Sequence, residues 1–208
     1  GDERVVHDEG AHGENLRGRS ESRRSLRAEA LVAVGCVCHA GPVSSDELGG
    51  PAGIEVDYAL AAYPVEDDEW ELADISADHT TDLDTFLAAL RQCAGDVLGL
   101  VAIDEAFFVL ARVEGKDARL LLSDVTAADE WPLAKDVVEH LGLPLPEDED
   151  DPVPAGDLDL VDDLGVDAVE LAQLLDDEDL APDDVLSEVA AGLGFGELFD
   201  EAVGLETA

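Results

Sequence analysis

The stretch from Val97 to Ser123 limits the fold more than any other part of the chain. Val97 to Ile103 is almost wholly apolar, which suits a central β-strand. Two further strand-like runs follow, Ala106 to Val113 and Arg119 to Ser123. The connections between them, Asp104-Glu105 and Glu114-Gly115-Lys116-Asp117, are too short for a crossover helix. Successive strands must therefore run antiparallel, as a meander.

The flanking sequence supplies more strands and a helical layer. Tyr58 to Val65 and Trp70 to Ile75 read as two strands joined across the acidic turn Glu66-Asp67-Asp68. Thr81, Asp82 and Asp84 then offer a helix start, with negative charge at the positive end of the helix dipole. Leu83, Phe86, Leu87 and Leu90 follow at helical spacing, and Gly95 is the expected stop. Pro132 opens another helix, with Leu133, Val137, Val138 and Leu141 on one face. Residues 56–143 thus predict an α+β domain, a small antiparallel sheet of about five strands with helices on one side.

Residues 144–156 combine Pro144, Pro146, Pro152 and Pro154 with the acidic run Glu147 to Asp151. Proline stiffness and charge repulsion predict an extended linker that holds its neighbours apart. Residues 157–208 predict a short all-helical unit. Asp167 caps one helix, Pro182 starts a second, and Leu198, Phe199 and Val203 mark a third apolar face. Gly194 and Gly196 around Phe195 read as a helix stop. About 50 residues is marginal for folding alone, so this unit should dock on the first domain or on a partner. Residues 1–55 are polar and glycine-containing, without a sustained apolar period in 1–27, and read as a disordered extension.

Charge narrows the functional classes. The formal net charge is −41, and no Lys or Arg follows Lys135. Residues 1–53 hold six of the eleven basic residues, so nearly all the negative charge lies beyond them. Such a chain repels polyanions, which excludes direct binding of nucleic acid or of an anionic membrane surface. Yet 46% of the residues are hydrophobic, too many for a solvated acidic tail. The composition is compatible with a plain soluble surface, with a salt-adapted one, and with a carboxylate surface that imitates phosphates.

Three cysteines without framework spacing, and no apolar run near the roughly 20 residues that span a bilayer, set a cytoplasmic expectation. Arg23-Arg24-Ser25-Leu26-Arg27 before Leu31 to Cys38 resembles a twin-arginine export signal, but Glu29 interrupts its apolar entry.

Motifs for catalysis are missing. Zinc deamination needs H-x-E followed by P-C-x-x-C, because three ligands hold the metal and the Glu moves protons. His7-Asp8-Glu9 matches the first string, but there is no C-x-x-C, and Cys36-Val37-Cys38-His39 has the wrong spacing. A calcium loop starting at Asp157 fails where Val161, Asp162 and Ala168 stand. Gly192-x-Gly194-x-Gly196 lacks the preceding strand that a phosphate-binding turn requires. The expectation is no cofactor, no metal and no catalytic residue.

Several phrases resemble the actinobacterial tRNA adenosine deaminase-associated protein family. They are Tyr58-Ala59-Leu60-Ala61-Ala62-Tyr63, Leu120-Leu121-Leu122-Ser123-Asp124, Ala155 to Leu160, Leu174 to Leu180, Pro182-Asp183-Asp184 and Gly192 to Gly196, with the acidic Pro-rich linker between. The resemblance covers about 56–205. It implies a non-catalytic accessory protein that binds or regulates the tRNA adenosine deaminase, and it brings no catalytic residues. The alternative is a general acidic adaptor unrelated to tRNA modification. Its contact would be the apolar stripe Val185, Leu186, Val189 and Leu193 with Phe195, beside the acidic run Asp176, Asp177, Glu178 and Asp179.

Overall fold

The computed structural model describes residues 56–65, 69–93, 95–145, 153–177 and 179–205. The expected extension, the acidic turn 66–68, the run 147–151 and Glu178 lie outside the described residues.

The meander is present. Strand β3 (Asp96–Ile103) pairs along its whole length with β4 (Phe107–Glu114), and β4 pairs with β5 (Asp117–Leu122). At the first turn Asp104 and Glu105 both have left-handed backbones, with φ of 55° and 50°. The Ala106 N–H closes on the Ile103 carbonyl at 3.0 Å. This is the twist-matched hairpin turn, normally filled by Asn or Gly, so a Glu there is a strained choice. The second turn is the two-residue loop Gly115-Lys116, with Gly115 at φ 63°.

Strand β1 (Val56–Pro64) lies between β2 (Trp70–Asp74) and β3, and every pairing is antiparallel. The order is β2-β1-β3-β4-β5-β6. The meander therefore runs only from β3 onward. The chain leaves edge strand β2, crosses β1 through a 3₁₀ turn (Ala77–His79) and helix α1 (Leu83–Leu90), and re-enters the sheet as β3. A sixth strand, β6 (Ala155–Gly156), comes from the Pro-rich segment and pairs with Leu121 and Leu122.

Side chains alternate across the sheet and create two cores. One face carries Ala61, Val101, Ile103, Phe107, Val109 and Leu122, covered by α1 and by α2 (Pro132–His140). Asp82 caps α1 by accepting from the Thr85 N–H at 2.8 Å, and Asp136 on α2 accepts from the Leu83 N–H. Helix α1 ends at Leu90 with Arg91 as its C-cap, so Gly95 (φ 93°) does not stop it but turns the chain into β3. Gly99 lets α1 sit close to the sheet, since a Cβ there would fall 2.6 Å from Leu90 Cδ1 and 2.7 Å from Phe86 Cζ.

The opposite face, with Leu60, Leu98, Leu100, Phe108, Leu110 and Leu121, is covered by the C-terminal helices α3 (Ala168–Leu175), α4 (Pro182–Leu193) and α5 (Gly196–Val203). The result is an α+β molecule of three layers, helices–sheet–helices. This corrects the expectation of a spacer that holds two units apart. Residues 153–156 run along the sheet edge instead: the Val125 N–H bonds the Val153 carbonyl at 3.0 Å, and β6 continues the ladder. Burying the apolar stripes outweighs carboxylate repulsion because the carboxylates stay on outer surfaces while each square ångström of apolar area contributes about 25 cal/mol.

Candidate functional site

The sequence-predicted contact stripe is occupied within the molecule. Val185, Leu186, Val189, Leu193 and Phe195 are all buried, with Leu186 and Val189 at 0% exposure, in the core shared with the sheet. The Trp70 ring packs tilted against Phe195, with centroids 4.8 Å apart. That corrects their assignment as a partner contact: a stripe facing one's own sheet has the same helical spacing as one facing a partner. Asp176, Asp177 and Asp179 are exposed. Asp177 accepts from the Asp179 N–H at 3.1 Å, a local turn on the surface. The structure does not bring this run together with the stripe's buried residues in one accessible surface.

Arg112 is a residue that the sequence reading missed. It lies on β4, 3% exposed, on the face that receives the C-terminal helices. Its guanidinium donates to Asp96 (Nη2–Oδ2 2.7 Å), to both oxygens of Asp163 and to the Leu160 carbonyl (2.9 Å). Beside it Arg119 donates to the Asp159 carbonyl at 3.1 Å and faces Asp157 at 3.8 Å. No Lys or Arg follows Lys135, and it is the sheet's Arg112 and Arg119 that pair with the Asp157 and Asp163 carboxylates. Hydrogen bonding to Arg112 holds the Asp163 carboxyl below the usual carboxylate range, and Asp163 in turn helps hold the guanidinium proton. This knot ties the layers together, and every guanidinium edge is committed. The available signal was a lone cation inside an otherwise apolar strand, which must find partners when buried.

Three open concavities among the described residues lie at the other end of the sheet, around the strained β3–β4 turn. On the α4–α5 face a cavity of about 190 Å³ is lined by Asp57, Tyr58, Glu105, Asp183 and Val203. The Glu105 N–H donates to Asp57 at 2.9 Å. The Tyr58 hydroxyl is buried without a hydrogen-bond partner among the described residues, and its ring meets Phe199 edge-on at 5.5 Å. Burial, then Asp183, Asp57 and Asp184, push its ionisation far up, so it stays a neutral phenol. On the α2 face a slot of about 140 Å³ lies between Trp131 and the Thr80–Thr81 turn. A more open hollow of about 310 Å³ adjoins it and is rimmed by Asp124, Asp129 and Glu130, with Trp131 lining both.

This end offers carboxylates and apolar walls. Such an arrangement suits donors and cations carried by a partner. Among the described residues no group of three or more His, Cys, Asp or Glu is placed to hold a metal ion. No helix among them is long and apolar enough to cross a membrane.

Comparison with known proteins agrees with the residue phrases. The model of the Rv3753c-like tRNA adenosine deaminase-associated protein family matches residues 57–196. Protein Rv3753c of Mycobacterium tuberculosis strain H37Rv is 38% identical over 153 residues, 71% of this chain and 88% of that relative. No solved structure matches. The matched span takes in the sheet apart from Val56 and helices α1 to α4, and it stops at the first residue of α5.

Proposed function

We propose a function from one premise: the chain belongs to the Rv3753c-like tRNA adenosine deaminase-associated protein family. It acts as a non-catalytic accessory protein that binds the tRNA adenosine deaminase in the cytoplasm. Its carboxylate surface docks on the basic face with which that enzyme holds tRNA, and so competes with tRNA for it. The observation that carries this reading is a net charge of −41 around cores that already occupy the apolar faces of α1, α2 and α4. What remains for a partner is chiefly negative surface with a few apolar recesses, which fits a cationic protein and repels the tRNA itself.

The test is co-purification of the two proteins at low and at high ionic strength. Docking steered by charge should weaken as the Debye length falls from about 8 Å at physiological salt to about 3 Å at 1 M. Added tRNA should displace the chain from the enzyme. Absence of a complex at both salts removes the proposal.

A further inference from the structure

We propose that the slot between Trp131 and the Thr80–Thr81 turn, together with the acidic shelf beside it, seats a basic segment of a protein partner. One aliphatic or aromatic side chain of that segment fills the slot, and neighbouring Lys or Arg residues lie on Asp129 and Glu130. The inference rests on the reading of this chain as a protein-binding accessory, and it names the place of contact.

The chemistry of the slot selects its occupant. Its walls are Val56, Ala77, Ile103, Leu133 and the Trp131 ring, itself held against Phe107 at 5.3 Å. The two hydroxyls that line it are already committed. Thr80 donates to the Ala77 carbonyl at 2.9 Å, and Thr81 faces the Asp78 carbonyl and Asp82 at 3.3 and 3.2 Å. A polar ligand group would find little to bond there, whereas an apolar one loses water at no polar cost.

The shelf selects the charge. Asp124 is held by Thr126, whose N–H and hydroxyl both donate to it. Asp129 and Glu130 are exposed and make no ion pair among the described residues. From Asp124 to Glu139 the sequence contains a single Lys or Arg, Lys135. An apolar anchor in a recess, ringed by charges that exclude wrong partners, is the usual anatomy of a contact that carries binding energy. A phosphorylated segment or a nucleic acid is repelled by the same carboxylates.

Two synthetic peptides of equal positive charge test this, one alternating leucine with lysine and one alternating glycine with lysine, titrated calorimetrically at physiological salt. The full chain should bind the leucine peptide at least about tenfold more tightly, a difference of 1.4 kcal/mol. Thr81→Trp, which plugs the slot without changing charge, should erase that ratio. The double variant Asp129→Lys/Glu130→Lys should weaken both peptides and, being on exposed positions, leave folding intact. Equal binding of the two peptides, or a ratio that survives Thr81→Trp, overturns the inference. A wild-type dimer that Thr81→Trp dissociates would assign the slot to a second copy and also overturn it. Deaminase bound equally by wild type and both variants sinks the slot and spares the accessory reading. Peptide discrimination without any deaminase binding does the reverse.

Discussion

Arg112 stands where β4 would otherwise present one more apolar side chain to the C-terminal helices, and its surroundings make a sharp prediction. A guanidinium can serve Asp96, Asp163 and the Leu160 carbonyl together because its N–H groups fan out in one plane. An ammonium cannot. Arg112→Lys should therefore behave nearly as badly as Arg112→Ala, each lowering unfolding stability by on the order of 3 kcal/mol in urea titrations. Full rescue by lysine would show that charge alone matters. The pH dependence follows from the same contact. The folded-state value of Asp163 lies below its unfolded one, so its contribution is complete above the unfolded value of about 4 and is lost as pH falls through the folded value. Asp163→Asn should flatten the acid limb of stability against pH, and an unchanged limb would dissociate Asp163 from the knot.

Tyr58 is the opposite case, a buried hydroxyl with no partner among the described residues. Removing an unsatisfied group of that kind relieves a desolvation penalty, so Tyr58→Phe should raise stability by about 1 kcal/mol while keeping the ring against Phe199. The same substitution should also remove a loss of stability above about pH 10, where the unfolded phenol ionises and the folded one resists. Destabilisation by Tyr58→Phe in thermal melts would mean that the hydroxyl is satisfied after all.

At the scale of the element, individual helices and strands were largely readable and their placement was not. Leu83, Phe86, Leu87 and Leu90 announce α1, and Asp82 and Asp167 cap the helices expected of them. Periodicity reports that a face is covered, not what covers it. The stripe of α4 thus looked free for a partner, yet Val189 is fully buried against the sheet. The two readings separate experimentally. Val189→Asp places a charge in the shared core without a counter-ion, so it should cost at least about 4 kcal/mol and unfold the molecule, as circular dichroism would show. A well-folded Val189→Asp chain that has merely lost a partner would restore the stripe as a docking face. Strand β6 escaped notice because two residues carry no period, and proline-rich sequence reads as linker whether or not it pairs. The concave end escaped too, since Asp57, Thr81, Glu105, Trp131 and Asp183 are far apart in sequence and meet only through the β2–α1–β3 crossover and the docking of α4.

For the whole molecule, charge acts on folding and on binding with opposite sign. The net charge of −41 makes the compact state repel itself, and added salt shortens the reach of that repulsion. Salt should therefore stabilise the isolated chain, whereas attraction to a cationic partner is screened by the same ions and should fade. Raising sodium chloride from about 0.15 to about 1 M should thus increase the melting temperature of the free chain while weakening its complex with the deaminase by tenfold or more. Parallel calorimetry of the chain and titration of the complex over one salt series measures both slopes. If affinity holds while the melting temperature climbs, the contact is carried by apolar recesses such as the Trp131 slot and the carboxylate surface serves folding conditions alone. If both fall together, surface repulsion is not what limits the stability of this fold.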